Sequence, residues 1–284
     1  MNNQIARQKP SFRTAITTDK FQRAINNTLQ DPNRARRFTS SIISAVSANP
    51  ALQECEAGTI VSAALLGESL NLSPSPQLGQ YYLVPFNDNK NHCKKAQFQL
   101  GYKGYIQLAI RSGYYKKLNV LAIKKGELVK FDPLEEEIEV QLIDDEEQRE
   151  QAETIGYYAM FEYQDGFKKV IYWSKSKMEQ HALKYSQGYK ARKGYTFWEK
   201  DFDGMAYKTM LRQLISKWGI MSIEMQDVYS KDMAVINEDG ETEYIDTIDT
   251  TYTEVEQQEH DDLGEQQPNV PTEEADEPMS LDDF

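Results

Sequence analysis

The last 53 residues of the chain contain no lysine and no arginine. Residues 232–284 carry 19 of the 45 acidic residues in the sequence, together with three prolines and many threonines and glutamines. Such a segment buries too little apolar surface to offset the conformational entropy that is lost on ordering. We therefore expect an acidic, disordered C-terminal tail over residues 232–284, and a folded domain that ends near Lys231.

The charge of the chain is divided unevenly along the sequence. The formal net charge is −13, from 32 Lys and Arg against 45 Asp and Glu. Without the tail, residues 1–231 keep all 32 basic residues against 26 acidic ones, which is a net charge of +6. A second acidic run, residues 132–153, contains 11 acidic residues and one arginine. The body is therefore basic with an acidic insert, and it is compatible with a polyanionic partner.

The body is long enough to fold around a substantial core. Two isolated cysteines and three scattered histidines lack the spacing of a metal site or a disulfide framework, and no segment resembles a signal peptide or a membrane helix. We expect a cytoplasmic protein. Residues 1–30 are expected to form an N-terminal arm and a first helix, with residues 1–18 outside the core. Residues 31–231 are expected to form one folded domain.

Periodicity and capping residues predict an α+β fold, with an antiparallel sheet and packed helices. The predicted helices run from the N-cap Asp31 through Val46, from Gly58 to Leu70, from Lys103 to Ser112, from a capping box of Ser176 and Glu179 through Tyr185, and from Asp203 to Trp218. Alternating apolar residues predict strands at 80–86, 95–100, 119–123, 127–131, 138–143, 155–163 and 168–173. The first two strands are expected to form a hairpin.

No motif of a nucleotide-binding loop or of a catalytic nucleophile occurs in the sequence. Acidic groups such as Asp201 with Asp203, or residues 135–139, are more often helix caps or solvated edges than magnesium ligands. We therefore expect no enzyme, no cofactor and no metal. Two other functions stay open. One is a metal-dependent nuclease, which belongs to a different class of protein, and the other is a plain single-strand DNA-binding protein.

Basic and aromatic residues are interleaved in three stretches, 102–125, 184–200 and the helix after Asp203. On a helix, Lys103, Gln107 and Arg111 share one face. A stripe of Ile106, Ala109 and Ile110 is expected in the core, with Ile106 and Ile110 opposite the polar face. The candidate DNA contacts in these stretches are Lys103, Tyr105, Gln107, Arg111, Tyr115, Lys116, Lys117, Lys124, Lys125, Lys190, Arg192, Lys193, Phe197, Lys208 and Arg212.

Single-stranded DNA requires this mixture of side chains, because cations replace the counterions of phosphates and flat rings stack on unpaired bases. The ordinary alternative is a solvated surface, since tyrosine is common in half-buried strands and lysine prefers water. Three such stretches on one chain favour the nucleic-acid interpretation. Sequence-specific recognition is not expected, because no helix-turn-helix, zinc-finger or RRM pattern is present.

Three segments of the chain resemble the RecT family of phage and prophage single-strand annealing proteins. They are LNLSPSPQLGQYYLVPF at 70–86, QLGYKGYIQLAIRSGYYKKL at 99–118 and FWEKDFDGMAYKTMLRQLISKW at 197–218. The resemblance implies an ATP-independent recombinase that coats single-stranded DNA and anneals it to a complementary strand in an oligomeric ring or helical filament. It also implies a β-β-β-α core and a bacterial host cell. On this resemblance, residues 31–231 are expected to serve DNA binding, annealing and oligomerisation, and residues 1–30 to contact other subunits.

Carried onto this chain, the resemblance implies a groove whose phosphate contacts are made by cations and whose base contacts are made by aromatic residues. The implied phosphate contacts are Lys103, Arg111, Lys116, Lys117, Lys208 and Arg212, and the implied base contacts are Tyr105, Tyr115 and Phe197. The implied partners are single-stranded DNA, the annealed duplex and other copies of the chain. A phage exonuclease and a host single-strand binding protein are further candidates.

The last residues, MSLDDF, are similar to the acidic, aromatic tips of bacterial single-strand binding proteins. Asp282, Asp283 and Phe284 are therefore candidates for docking to a partner protein. Three interpretations stay open for the tail: recruitment of a partner, competition with DNA for the basic body, or a purely solubilising role.

Overall fold

The described chain begins with helices, continues with strands that two helices interrupt, returns to helices and ends in two short strands. The order of helices, strands and helices agrees with the sequence patterns, whereas the two final strands were not predicted. The computed structural model describes residues 10–88, 91–194, 196–237, 239 and 242–244. All of them belong to Met1–Glu254, the first of two compact units of the chain; the second, Val255–Phe284, contains no described residue. The predicted α+β class with antiparallel sheets is confirmed.

The elements are numbered in chain order. The α-helices are α1 Phe12–Ile16, α2 Asp19–Leu29, α3 Pro32–Ala48, α4 Pro50–Gln53, α5 Ala57–Ser69, α6 Tyr102–Ser112, α7 Glu146–Gln151, α8 Lys175–Tyr185, α9 Gln187–Lys190, α10 Phe197–Lys200, α11 Phe202–Trp218 and α12 Ile223–Lys231. The strands are β1 Tyr81–Asp88, β2 Cys93–Leu100, β3 Tyr115–Lys124, β4 Leu128–Asp132, β5 Glu137–Val140, β6 Thr154–Tyr163, β7 Lys168–Ser174, β8 Ala234–Ile236 and β9 Thr242–Tyr244.

The first sheet is built on the predicted hairpin. β1 pairs with β2 from Tyr81 opposite Leu100 to Asp88 opposite Cys93, and the strand order of the sheet is β1-β2-β8-β9. α5 packs on β2 and β8, and it is buried on nearly every side. Because a helix that is apolar all round requires cover on its second side, α1, α2 and α3 pack against it.

The amino-terminal helices correct one expectation. We expected residues 1–18 to lie outside the core, but Phe12 and Ile16 are buried one helical turn apart on α1, and Ile25 is buried on α2. These three side chains belong to the same apolar cluster as α3 and α5. The described part of the arm is therefore integral to the fold.

The second sheet has the order β3-β6-β7, with both pairs antiparallel. α8 and α11 pack against its central strand, where Tyr157 and Phe161 are fully buried. β4 and β5 form a separate two-stranded hairpin. This hairpin and α7 hold most of the acidic insert, and β5 contacts β7. The insert is thus an appendage of the second sheet.

The folded domain extends past Lys231, where the change in composition had predicted its end. β8 pairs antiparallel with β2, with Val235 opposite Gln97, and Ala234, Val235 and Ile236 are all buried. The expected boundary at 231 is therefore wrong for the described residues 232–237. Residues 245–284, including the docking candidates Asp282, Asp283 and Phe284, lie outside the described residues.

The predicted capping box of Ser176 and Glu179 is also wrong. α8 begins earlier, and Ser174 caps it by accepting a hydrogen bond from the Lys177 N–H at 3.2 Å. A carboxylate that reaches back across a first turn occurs instead at α10, where Glu199 accepts from the Thr196 N–H at 3.1 Å. None of the described helices combines the length and the apolar character that a bilayer-spanning helix requires.

Candidate nucleic-acid interface

Aromatic rings and a lysine from three distant segments meet at the start of α6. The rings of Tyr82 and Phe197 lie 5.7 Å apart, and those of Tyr102 and Tyr207 also lie 5.7 Å apart. Lys103 Nζ lies 6.0 Å from the centre of the Tyr102 ring. The four rings are partly exposed and Lys103 is exposed. We call these five residues the aromatic–cationic cluster.

Two glycines allow this convergence. A Cβ atom on Gly101 would lie 2.1 Å from the carbonyl oxygen of Gly79, and one on Gly104 would lie 2.1 Å from that of Gln80. The first turn of α6 therefore packs directly on the backbone that precedes β1. The Lys103 side chain passes Gly79 on the way to solvent, which places a cation beside the rings.

The exposed face of α6 carries the predicted polar side chains. Lys103, Gln107 and Arg111 are all exposed, as their spacing predicts. Arg111 is held in place, because its Nη1 donates to the Leu70 carbonyl oxygen at 2.6 Å and its Nε donates to that of Gln107 at 3.2 Å. This face presents two cations, about 12 Å apart along the helix axis.

The expected core stripe is wrong for Ile106 and Ile110 and confirmed for Ala109, which is buried. Ile110 is 60% exposed and Ile106 is half-buried, whereas Tyr105, Leu108 and Ala109 form the buried side. At 100° per residue, Ile110 falls on the same side of the helix as Lys103. The exposed face of α6 is therefore both cationic and apolar.

Three of the predicted DNA contacts lie around a buried carboxylate. Asp232 is fully buried and accepts from Tyr105 Oη at 3.2 Å, Lys208 Nζ at 3.1 Å and Arg212 Nη1 at 2.5 Å. It also accepts from the Leu100 N–H at 2.9 Å. Burial raises the pKa of Tyr105, and the nearby Asp232 raises it further, so the hydroxyl stays protonated and donates.

The assignment of Tyr105 and Lys208 to DNA is therefore corrected. They are 3% and 7% exposed, and burial lowers the pKa of Lys208 while Asp232 opposes that effect. A phosphate cannot approach a lysine that is enclosed in this way. Arg212 is less deeply placed, and its guanidinium lies 4.3 Å from the centre of the Tyr229 ring.

Tyr115 is also corrected from a base contact to a structural residue. It is buried, its ring packs 5.2 Å from that of Tyr163, and its Oη donates to the Ile220 carbonyl oxygen at 3.0 Å. Burial raises its pKa. The hydroxyl ties the start of β3 to the chain that follows α11.

The lysines of β3 are exposed or half-buried. Lys116 and Lys117 lie 2.5 and 3.4 Å from the carboxylate of Glu162, and the hydrogen bond from Lys116 is the main cause of its lowered pKa. Two cations share one carboxylate, which leaves a positive surface. Lys124 is half-buried and donates to Thr154 Oγ1 at 3.0 Å, while Lys125 is exposed.

Within the interleaved stretch 184–200, the loop between α8 and α10 contains the short helix α9. Lys190, Arg192 and Lys193 are exposed, and Arg192 adopts a left-handed backbone conformation with φ of 49°. Phe197 follows this loop and belongs to the aromatic–cationic cluster. This loop therefore ends at the aromatic–cationic cluster, where α10 begins.

The acidic pair considered for magnesium has other partners. Asp201 caps α11 by accepting from the Gly204 N–H at 2.8 Å, and Asp203 accepts from Tyr157 Oη at 2.6 Å. The described part of the chain brings together no group of three or more His, Cys, Asp or Glu side chains suited to a metal ion.

Three members of the cluster, Tyr82, Tyr102 and Tyr207, were not among the predicted contacts. Tyr82 and Tyr102 occur in the quoted segments QYYLVPF and QLGYKGY, so the signal was present in the residues that carry the resemblance. Burial raises the pKa of Tyr82, with smaller contributions from Asp201 and Tyr102. All three rings are neutral stacking surfaces at physiological pH.

A family model, described as the RecT family, matches residues 36–248. The chain belongs to the RecT family. This is a family of single-strand annealing proteins in DNA recombination. An uncharacterized protein of Bacillus subtilis (strain 168), YqaK, is 44% identical over 213 residues, which are 75% of this chain and 67% of that protein. Protein RecT of Escherichia coli (strain K12) is 33% identical over 187 residues, which are 64% of this chain and 65% of that protein.

The extent of the RecT match agrees with the corrected domain end. The match continues to residue 248, past Asp232 and β8. All three segments that carry the RecT resemblance contribute to the aromatic–cationic cluster, with Tyr82 from the first, Tyr102 and Lys103 from the second, and Phe197 and Tyr207 from the third. The matched parts cover about two thirds of each relative.

Because Asp232 is buried, we expect its removal to cause a large loss of stability. Asp232→Ala leaves the Lys208 ammonium buried without its anion, and we expect the free energy of unfolding to fall by about 3–5 kcal/mol. The measurement is urea denaturation followed by circular dichroism. Asp227→Ala is the matched control, because Asp227 forms an exposed pair with Lys231 and should contribute less than about 1 kcal/mol. Equal losses in both variants would contradict the structural role of Asp232.

Proposed function

We propose that this protein binds single-stranded DNA, pairs it with a complementary strand without ATP, and holds the new duplex. The observation that carries the proposal is the aromatic–cationic cluster, in which the three RecT segments converge. The proposed phosphate contacts are Lys103, Gln107, Arg111, Lys116, Lys117, Lys124, Lys125, Lys190, Arg192 and Lys193. The proposed base contacts are Tyr82, Tyr102 and Phe197.

The proposed chemistry is binding and not bond making. Exposed cations displace the counterions of a DNA backbone, and this contribution is independent of sequence. Partly exposed rings stack on bases of any identity. A strand held in this way is available for pairing, and the free energy of the base pairs drives the reaction because it is gained only between complementary strands.

An annealing assay tests the proposal directly. Complementary labelled oligonucleotides mixed with the protein, in the absence of ATP and magnesium, should pair faster than without it, as followed by energy transfer between the labels. Non-complementary oligonucleotides are the control. Binding without accelerated pairing would indicate a plain single-strand binding protein, and cleavage on addition of magnesium would indicate a nuclease.

Loss of the proposed phosphate contact of Lys103 should change the affinity for DNA and its dependence on salt in a specific way. Lys103→Ala should weaken binding to all sequences equally, and it should flatten the slope of log affinity against log salt concentration by about 0.7 to 1. Fluorescence anisotropy over a salt series measures both quantities. Lys130→Ala is the matched control, since Lys130 is exposed on the β4 hairpin. An unchanged slope in Lys103→Ala, or the same change in Lys130→Ala, would remove α6 from the proposed surface.

We further propose that copies of the chain assemble on DNA as a ring or helical filament, with the amino-terminal segment 1–30 at a contact between subunits. A phage exonuclease and a host single-strand binding protein are proposed partners. The proposed setting is the cytoplasm of a bacterial host. The acidic residues Asp282 and Asp283, with Phe284, are proposed to dock on such a partner.

Deletion of residues 245–284 separates the interpretations of the tail. The deleted segment contains 14 acidic residues and no lysine or arginine, so it repels DNA and is attracted to the basic body. If the tail competes with DNA, the shortened protein should bind oligonucleotides more tightly at low salt, and the difference should disappear at high salt. The measurement is anisotropy on both proteins. Unchanged affinity at low salt would exclude competition.

A further inference from the structure

A second surface of aromatic rings and lysines lies at the far end of α11. Trp218 is 38% exposed, and Phe167 is 47% exposed. Lys169 Nζ lies 3.5 Å from the centre of the Trp218 ring, and Lys217 Nζ lies 5.1 Å from it. We call Phe167, Lys169, Lys217 and Trp218 the Trp218 surface. Its aromatic residues were not among the predicted DNA contacts.

The Trp218 surface rests on a rigid support. Tyr163 stacks on the Phe167 ring at 5.8 Å, and its Oη donates to the Trp218 carbonyl oxygen at 3.2 Å. The same Oη accepts from the Ile220 N–H at 2.5 Å. Because one buried tyrosine fixes both aromatic positions, the exposed rings are presented in place before any ligand arrives.

The charge around the Trp218 surface suits an anionic ligand. Lys169 pairs with Glu136 and serves mainly to support the Trp218 ring, since its side chain is largely buried. Lys217 is exposed, and its ammonium is the second cation beside the Trp218 ring. Flat rings next to excess cations bind the bases and phosphates of a single strand.

The Trp218 surface and the aromatic–cationic cluster are connected by two helices that run side by side in the same direction. α6 and α11 contact each other near their starts, where the Tyr102 and Tyr207 rings meet, and in the middle, where Arg212 Nη1 lies 3.4 Å from Tyr105 Oη. Beyond their ends, Tyr115 Oη reaches the Ile220 carbonyl oxygen. Both helices therefore lead from the cluster towards the Trp218 surface.

The separation of the two surfaces corresponds to a short stretch of DNA. Eleven residues separate Tyr207 from Trp218 on α11, which is about 16 Å along the helix axis. About five nucleotides span this distance when bases are stacked roughly 3.4 Å apart. The intervening exposed face of α6 carries Gln107, Ile110 and Arg111, which offer polar, apolar and cationic contacts.

We propose that the Trp218 surface is a second base-stacking site, so that one DNA strand runs from the aromatic–cationic cluster along α6 to Trp218. The inference rests on the proposed function, because it extends the same DNA-binding surface. It predicts that an oligonucleotide must exceed about five nucleotides before it engages both sites.

Oligonucleotide length tests the proposal in the full-length protein. Affinity for oligothymidine of about 5 and about 15 nucleotides is measured by anisotropy for Phe167→Ala and Trp218→Leu. Each variant should bind the longer strand roughly tenfold more weakly, the loss expected for one base–aromatic stack, and the shorter strand as well as the native protein does. Val129→Ala is the control, because Val129 is 57% exposed on β4, outside the three basic and aromatic stretches, and it should change neither affinity.

Lys217→Ala gives a second test that leaves the core packing untouched. It should flatten the salt slope for the longer strand by about 0.7 to 1 and leave that for the shorter strand unchanged. Unchanged binding of the longer strand in all three variants overturns the proposal. Loss of self-association with DNA affinity intact, measured by sedimentation, also overturns it and assigns the surface to contacts between copies. If the native protein binds neither strand, the proposed function itself fails.

Discussion

The Asp232 carboxylate lies within hydrogen-bonding distance of groups from three elements: the Leu100 N–H at the end of β2, Tyr105 on α6, and Lys208 and Arg212 on α11. Burying these charges removes them from water, which offsets much of their mutual attraction. Their main contribution is geometric, because the carboxylate fixes how far α6 can slide or rotate against α11. Both helices begin at the aromatic–cationic cluster, so the position of Lys103 beside the four rings depends on a residue that follows α12.

The rotation of α6 about its own axis, which decides the side that is buried, could not be predicted from the sequence. The helix, its end at Ser112 and the face shared by Lys103, Gln107 and Arg111 were predicted, because these follow from local spacing. The buried stripe was predicted correctly for Ala109 and wrongly for Ile106 and Ile110. Ala109 lies at helical spacing from Tyr105 as well as from Ile106, so periodicity alone permits either side. Tyr105 is buried since its hydroxyl has a partner 127 residues away, and no local pattern contains that information.

Local sequence also could not predict which lysines are exposed and which are buried. Lys103 and Lys208 look alike in the sequence, each one turn from another polar or basic residue and each beside tyrosines. One is exposed and the other is enclosed with Asp232, which begins the acidic run that composition assigned to the tail. Composition describes the average of a segment, whereas a single buried carboxylate decides where the domain ends. The hairpin of β1 and β2 was predictable because long alternating strands carry their own signal; β8 has only three residues.

The acidic insert makes the distribution of charge over residues 1–231 more uneven. Its one arginine, Arg149, is used internally, since it pairs with the buried Glu127 at 2.6 Å and donates to the Ala122 carbonyl oxygen at 2.9 Å. Part of the negative charge of the β4–β5 hairpin is neutralised, since Glu137 pairs with Lys130 and Glu136 pairs with Lys169, but the insert still holds 11 acidic residues against one arginine. Phosphates are repelled within about 8 Å of such a surface at physiological salt. The lysines of α6 and β3 attract a strand and the remaining carboxylates of the insert repel it, so electrostatics favours a path that approaches the insert where Glu136 is already paired with Lys169.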